Sequence, residues 1–248
     1  MSGHSKWSTI KRQKGAADAK RGQLFTKLAR EISIAAREGL PDPDANTRLR
    51  LAVDRAKANN MPKDNIERAI QRAAGAGAGG QYEEIYYEGY GPGGAALMIQ
   101  VQTDNRNRTV SEVRAALTRS GGSLGENGSV GWMFDQMGVI EVPTESADAD
   151  EVALVAIDVG ANDVETEDGV VVVYTDPTEL HRTREALVSA GYAVEGAQLT
   201  MRPKTLVAPE PDVAIKTIRL VEKLEDLDDV QEVFTNLDVS DEVLAAAM

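Results

Sequence analysis

The sequence has no cysteine, only two histidines and few aromatic residues, which make up 4% of the chain. The lack of cysteine excludes disulfides, thiolate zinc sites and cysteine nucleophiles, and it is typical of a reducing compartment. No apolar run approaches the roughly 20 residues needed to span a bilayer. The basic N-terminus is not followed by the apolar stretch of a secretory signal, so we expect a cytoplasmic protein.

Residues that commonly carry catalysis or hold metals are also scarce. His4 and His181 do not have the spacing of a metal-binding pair. Ala153 occupies the position where a calcium loop starting at Asp148 would need glycine. The acidic runs at 148–151 and 225–229 are therefore interpreted as solvated faces and helix N-termini.

Two glycine patterns, at 75–80 and 89–94, match the dinucleotide-binding motif in form. In neither does a predicted strand precede the glycines and a helix follow them, as phosphate binding requires. With no other catalytic constellation, the sequence predicts no enzyme, no metal and no cofactor.

The chain does have a strong asymmetry of charge. Its net charge is -13, yet residues 1–72 hold 16 basic and 8 acidic side chains, a local charge of +8 that leaves -21 for the rest. Clustered Lys and Arg neutralise phosphates and release condensed counterions. The N-terminal third is therefore predicted to bind DNA or RNA, although such a charge run also occurs as a solvated face.

The candidate nucleic-acid-binding residues lie in the first thirty residues. They belong to a basic N-terminal arm, residues 1–21, and to the start of the first predicted helix. Basic side chains would contact phosphates, and Trp7 would stack on a base because its neighbours are basic. The predicted set is His4, Lys6, Trp7, Lys11, Arg12, Lys14, Lys20, Arg21, Lys27 and Arg30. By contrast, Tyr82 to Tyr90 interleaves tyrosines with glutamates, which favours a half-buried strand over base stacking.

Two further segments could face an anion. Gly121 to Gly131 contains five glycines, whose backbone amides could surround a negative group, but the segment could equally be a mobile connection. Arg106 and Arg108 lie at a predicted helix start, where they oppose the helix dipole. Their placement indicates an exterior anion or an acidic partner.

Apolar spacing predicts three short helices at the N-terminus. They cover 22–37, about 46–58 and 62–74, and Pro62 is a favourable first-turn residue. The run Gly75 to Gly80 has almost no side chains to pack, which indicates a linker. Residues 1–78 are therefore predicted to form a helical, basic domain.

Beyond the linker the pattern becomes rich in strands. Strands are predicted at 95–103 and 130–134 around a helix at 109–118, and the region 139–201 follows a βαββαβ order. The tail adds a helix at 212–225 and a strand near 230–237. The predicted fold class is α+β, with a three-helix domain followed by two ferredoxin-like α/β domains. One of these, 134–204, is inserted into the other, 79–133 plus 205–248.

Several motifs follow one another along the chain and together resemble the YebC family. They are Gly3-His4-Ser5-Lys6-Trp7 with Ile10-Lys11, Lys27-Leu28-Ala29-Arg30-Glu31-Ile32, Asn59-Asn60-Met61-Pro62, Tyr87-Glu88-Gly89-Tyr90-Gly91-Pro92-Gly93-Gly94, Thr103-Asp104-Asn105-Arg106-Asn107-Arg108-Thr109 and Gly128-Ser129-Val130. The family includes bacterial proteins and the mitochondrial translational activator of cytochrome c oxidase subunit I. The resemblance covers essentially the whole chain and implies three domains.

The resemblance implies a regulator of gene expression, by one of two routes. Family members are treated as DNA-binding transcriptional regulators, and some resemble ribosome-associated, RNA-binding translation factors that relieve stalling, notably at proline-rich stretches. The charge layout favours RNA, because a basic arm suits irregular RNA surfaces while acidic domains stay outward or touch basic ribosomal proteins. Because the first motif begins at residue 3, we expect no organelle presequence and a bacterial cytoplasm.

Overall fold

The structure is a computed structural model that describes residues 18–75, 82–167 and 169–247. These residues form two compact units. Unit 1 contains 31–75 and 136–201, and unit 2 contains 18–30, 82–135 and 202–247. The three-domain boundaries drawn from the sequence stay a prediction.

Helices and strands alternate along the described chain. In order, they are α1 (Asp18–Glu38), α2 (Thr47–Ala58), α3 (Lys63–Ala74), β1 (Glu83–Tyr90), β2 (Ala96–Thr103), α4 (Arg106–Arg119), β3 (Ser123–Leu124), β4 (Phe134–Pro143), α5 (Ala149–Asp158), β5 (Asp163–Glu167), β6 (Val170–Thr175), α6 (Leu180–Ser189), β7 (Gly196–Pro203), α7 (Pro211–Glu225), β8 (Val230–Thr235) and α8 (Asp241–Ala247). The three predicted N-terminal helices are confirmed.

The N-terminal helices of unit 1 form because apolar residues recur on one face of each, and α2 also has a side-chain cap. Ile32 of α1 and Leu49 of α2 are fully buried, and Ile66 of α3 is nearly so. Asn46 caps α2, since its Oδ1 accepts a hydrogen bond from the Leu49 amide at 3.0 Å. These buried faces form part of the core of unit 1.

The sheet of unit 1 has the strand order β5-β6-β4-β7. With α5 after β4 and α6 after β6, this is the βαββαβ connection and strand order of a ferredoxin-like fold. All six residues of β6 are buried. The core joins Ile140 and Val173 of the sheet to Val152 of α5 and Leu187 of α6.

The sheet of unit 2 has the order β3-β1-β2-β8, with antiparallel pairing throughout. Its first two strands form a hairpin, and α4 and α7 pack on the sheet. Ile99 of β2, Leu117 of α4 and Leu220 of α7 are fully buried in one cluster. The α+β fold class, with an N-terminal helical region and two four-stranded antiparallel sheets, is confirmed.

One predicted strand, 130–134, is wrong. Residues Gly131–Met133 form a 3-10 turn, and β4 begins only at Phe134. The strand that pairs with β1 on that side is Ser123–Leu124. The amides of Val130 and Gly131 bond to the Glu88 carboxylate at 2.6 and 2.7 Å, so they cannot pair with a neighbouring strand.

In residues 18–75, 82–167 and 169–247, no helix combines the length and the apolar character that a membrane crossing demands.

Candidate nucleic-acid interface

The helix that follows the basic arm, α1, contacts the segment between α7 and β8 through one face. Gln23 Nε2 donates to the Asp226 carbonyl at 2.7 Å and to Asp228 Oδ1 at 3.3 Å. One turn later, Lys27 Nζ donates to the Glu225 carbonyl at 2.5 Å. Residues four apart share a helix face. Both contacts lie within unit 2, and they fix the start of α1 close to the point where the arm ends.

Arg30 continues the same face and has partners on more than one side. Its Nη1 donates to the Asp228 carbonyl at 2.5 Å and to Asp229 Oδ1 at 3.1 Å. Its guanidinium carbon lies 5.2 Å from the centroid of the Tyr82 ring, within the range of a cation–π contact. Only 14% of the Arg30 side chain is exposed. The charge of Arg30 is therefore largely satisfied inside unit 2.

The Asp229 carboxylate is the centre of this cluster, and 3% of its side chain is exposed. Its Oδ2 accepts from Arg108 Nη2 at 2.6 Å and from Arg108 Nε at 3.2 Å. The hydroxyls of Thr109 and Thr103 lie 2.8 and 3.1 Å from the same oxygen. Burial raises the pKa of Asp229, but hydrogen bonds from Arg108, Thr109 and Thr103 outweigh it and lower the pKa overall. Asp229 therefore stays ionised while it holds two arginines.

This arrangement corrects the interpretation of the acidic run 225–229 and identifies the partners of Arg106 and Arg108. Asp229, interpreted as part of a solvated acidic run, is buried because Arg30 and Arg108 pair with it. The acidic partner expected for Arg106 and Arg108 is supplied by the chain itself. Arg106 pairs with Glu83 at 2.5 Å, and Arg108 pairs with Asp229.

An open cleft of about 530 Å³ lies beside these arginines. Its charged lining is dominated by carboxylates, since Arg30 and Arg108 are outnumbered by acidic side chains. The acidic lining residues are Asp104, Glu112, Asp226, Asp228 and Asp229. A phosphate group would be repelled here, so the geometry gives no support to phosphate binding in this cleft.

The glycine-rich segment 121–131 does surround an anion, and that anion is Glu88. Gly128 donates to Glu88 Oε1 at 2.6 Å, and Val130 and Gly131 donate to Oε2 at 2.6 and 2.7 Å. Burial raises the pKa of Glu88, but the backbone hydrogen bonds together lower it by more, so the pKa lies below its ordinary value. The segment is thus an internal carboxylate site on β1.

Helices α2 and α3 are joined by a tight turn, as are the two helices of the helix-turn-helix motif of DNA-binding proteins. Asn60 has φ 58°, its amide donates to the Lys57 carbonyl, and the Met61 amide donates to the Ala56 carbonyl. These two bonds form a Schellman motif that ends α2. On α3, Lys63 pairs with Glu67 at 3.5 Å, and 87% of its side chain is exposed. The exposed basic residues of α3 are Lys63, Arg68 and Arg72.

The predicted binding residues fall into three groups. His4, Lys6, Trp7, Lys11, Arg12 and Lys14 lie outside the described residues. Lys20 and Arg21 belong to the first turns of α1, and Arg21 is exposed. Lys27 and Arg30 are held by the segment 225–229. The structure brings the last two together on one helix face, and Asp229 is the residue there that sequence reasoning missed.

A signal for Asp229 did exist in the sequence. Thr103, Arg108 and Thr109 supply several donors within seven residues, and such a set needs a buried acceptor nearby. The segment 225–229 offered the carboxylates, but nothing in the sequence places it beside α4.

Comparisons with known proteins identify the same family along nearly the whole chain. The model of the TACO1/YebC N-terminal domain matches residues 5–76, and the model of the TACO1/YebC second and third domain matches residues 82–237. A protein of Roseiflexus castenholzii named "Probable transcriptional regulatory protein" is 58% identical, with 98% of this chain and 97% of that protein covered. One of Geobacter sp. with the same designation is 51% identical over the full length of both.

A solved structure is also similar. It is described as the crystal structure of a conserved hypothetical protein, Aq1575, from Aquifex aeolicus. The TM-score is 0.86 at 48% sequence identity, with 92% of this chain and 94% of that chain covered.

Proposed function

We propose a function from the premise that this chain belongs to the TACO1/YebC family: it is a regulator of gene expression that binds nucleic acid through its basic N-terminal arm. The names of the relatives support the regulatory role. The observation that carries the nucleic-acid step is the charge asymmetry, +8 in residues 1–72 against -21 in the remainder. Such a division directs a phosphate backbone to the N-terminal third.

The contacts of α1 support a division of labour among its basic residues. Lys27 and Arg30 fix the helix to carbonyl and carboxylate groups of unit 2. Phosphate binding is then assigned to the residues that precede this face, with Trp7 as the stacking residue. The assigned phosphate-binding residues are Lys6, Lys11, Arg12, Lys14, Lys20 and Arg21.

The nature of the nucleic acid separates two versions of the proposal. The names of the relatives favour DNA. In that version α2, the turn and α3 would bind DNA as a helix-turn-helix motif, with Lys63, Arg68 and Arg72 exposed on α3. The acidic remainder favours RNA, because a single basic arm reaches into irregular RNA while the acidic surface stays away from phosphates. The RNA version corresponds to a ribosome-associated translation factor that relieves stalling.

The test compares the Lys11→Glu, Arg12→Glu variant with a control of the same charge change. The control is Lys216→Glu, Arg219→Glu, since both residues are exposed on α7 and neither is among the predicted binding residues. Binding to duplex DNA and to structured RNA is measured at several salt concentrations. We expect the arm variant to bind much more weakly and to show a salt slope lower by about two, one for each phosphate that is no longer neutralised. The control should keep both its affinity and its salt slope.

The outcomes distinguish the versions. Equal affinities for the arm variant and the control would contradict the arm as the binding element. Ultraviolet crosslinking in cells then identifies the target, since crosslinks to ribosomal RNA that disappear in the arm variant favour the translation factor. Crosslinks to promoter DNA favour the transcriptional regulator and direct attention to α3.

A further inference from the structure

A second feature of unit 2 faces solvent without a role in the proposed function. Among the described residues, Trp132 is the most exposed large apolar side chain, at 68%. An exposed tryptophan leaves a large apolar surface in contact with water. Tryptophan is also enriched among the residues that contribute most to the binding energy of protein interfaces.

The Trp132 indole is held in place by its surroundings. Its Nε1 donates to the Ser129 carbonyl at 3.1 Å. The turn that carries it is fixed on both sides, because Gly131 donates to Glu88 and the Lys204 amide donates to the Met133 carbonyl at 2.9 Å. A ring fixed before binding loses little conformational entropy when a partner arrives. Its one polar group is already used, so recognition falls to the faces of the ring.

The electrostatic setting selects the partner. The described residues of unit 2 carry 19 acidic and 13 basic side chains. Near the ring, Glu126 is exposed in the turn whose Ser129 holds the indole, and Lys204 is paired with Asp135 at 3.0 Å. Phosphates would be repelled by this surface, whereas cationic side chains would be attracted.

We propose that Trp132 is the anchor of a docking surface for an arginine-rich segment of a protein partner. A guanidinium stacks on an indole face through cation–π and planar contacts, and tryptophan is the best ring for this interaction. The exposed Glu126 and the net negative charge of unit 2 raise the local concentration of such a segment. Trp132 is more than 100 residues from the basic arm in the sequence, so the proposal adds a protein partner to a protein whose proposed function is to bind nucleic acid.

The test uses Trp132 as its own reporter. The chain has two tryptophans, so a Trp7→Phe background leaves Trp132 as the only indole. The probes are nona-arginine, nona-lysine and a single-stranded oligouridylate RNA, added to the full chain while indole fluorescence and calorimetric heat are recorded. Trp132→Ala and Trp132→Phe are compared with the control Leu154→Ala, because Leu154 is 65% exposed on α5.

We expect nona-arginine to quench Trp132 to saturation and to bind more tightly than nona-lysine. Its Kd should rise roughly three- to tenfold in Trp132→Ala and less in Trp132→Phe, and it should not change in Leu154→Ala. Equal Kd values for Trp132→Ala and the parent would overturn the proposal. So would quenching by oligouridylate that exceeds quenching by nona-arginine, which would identify a base-stacking surface instead. If Trp132→Ala fails to fold, the weaker binding of Trp132→Phe decides the question.

Discussion

Arg30 and Arg108, which belong to different helices, donate to the two different oxygens of one buried carboxylate, Asp229. The pairing ties α1, the helix that follows the basic arm, to the start of α4 within unit 2. Only 3% of the Asp229 side chain is exposed to solvent, so water cannot take the place of the two arginines at the carboxylate without a large cost.

The first prediction concerns the removal of this charge. Asp229→Asn should lower the free energy of unfolding by about 3 kcal/mol, because it leaves the largely buried Arg30 and the partly exposed Arg108 without their shared anion. Urea unfolding followed by circular dichroism measures the change. The control is Asp228→Asn, an exposed neighbour that accepts one long bond from Gln23, for which we expect a loss of less than about 1 kcal/mol. Equal losses for the two variants would show that Asp229 has no special role.

The second prediction concerns acid. The folded-state pKa of Asp229 lies below its ordinary value of 3.8, so the unfolded chain binds more protons at acidic pH. The stabilisation from Asp229 is therefore complete well above pH 3.8 and is lost as pH falls through the lower, folded-state pKa. Unfolding free energies measured from pH 6 downwards should decline more steeply for the parent than for Asp229→Asn. Parallel pH profiles would contradict the assignment.

The third prediction concerns the carboxylate site in the glycine-rich segment. Glu88→Gln replaces one accepting oxygen by an NH₂ group that faces backbone donors, so we expect a loss of about 1–3 kcal/mol. The amide resonances of Gly128, Val130 and Gly131 should shift in a ¹⁵N correlation spectrum, because their acceptor changes. The matched control is Glu126→Gln, an exposed glutamate of the same segment. Unchanged resonances in Glu88→Gln would refute the site.

The fourth prediction concerns the turn between α2 and α3. Asn60 is the one non-glycine residue with positive φ in the described parts of the chain. Asn60→Ala should destabilise the protein by about 1 kcal/mol, since alanine tolerates the left-handed region poorly. Asn60→Gly should leave stability nearly unchanged, because glycine is the usual residue at this position of a Schellman motif. Thermal unfolding of the two variants checks this, and equal destabilisation would contradict it.

Elements that depend on local pattern were predictable from the sequence. The apolar spacing of Leu28, Ile32 and Ala35 predicts α1, and all three residues are buried. The run Val170 to Tyr174 predicts β6, because a continuous run of β-branched residues indicates a strand that is buried on both faces. The N-cap role of acidic residues is also local, and Asp148 does cap α5.

Features that depend on distant partners were not predictable. Glu88 meets its donors about 40 residues further along the chain, and Asp229 meets Arg108 across 121 residues. The false strand at 130–134 has the same origin, because this run is apolar apart from Gly131, but the amides of Val130 and Gly131 donate to Glu88. The proposed binding residues were chosen by charge alone, and charge does not reveal that Lys27 and Arg30 have carbonyl and carboxylate partners.

The strand order of unit 2 has a consequence for protein synthesis. Strand β2 lies between β1, which precedes it directly, and β8, which ends at Thr235 of a 248-residue chain. A ribosome adds about 5–20 residues per second, so one edge of β2 waits several seconds for the strand that covers it. During that interval an apolar strand presents unpaired amides and carbonyls, the condition that favours aggregation. A chain cut short before Val230 would keep that edge open permanently, so this protein depends on the completion of its own translation.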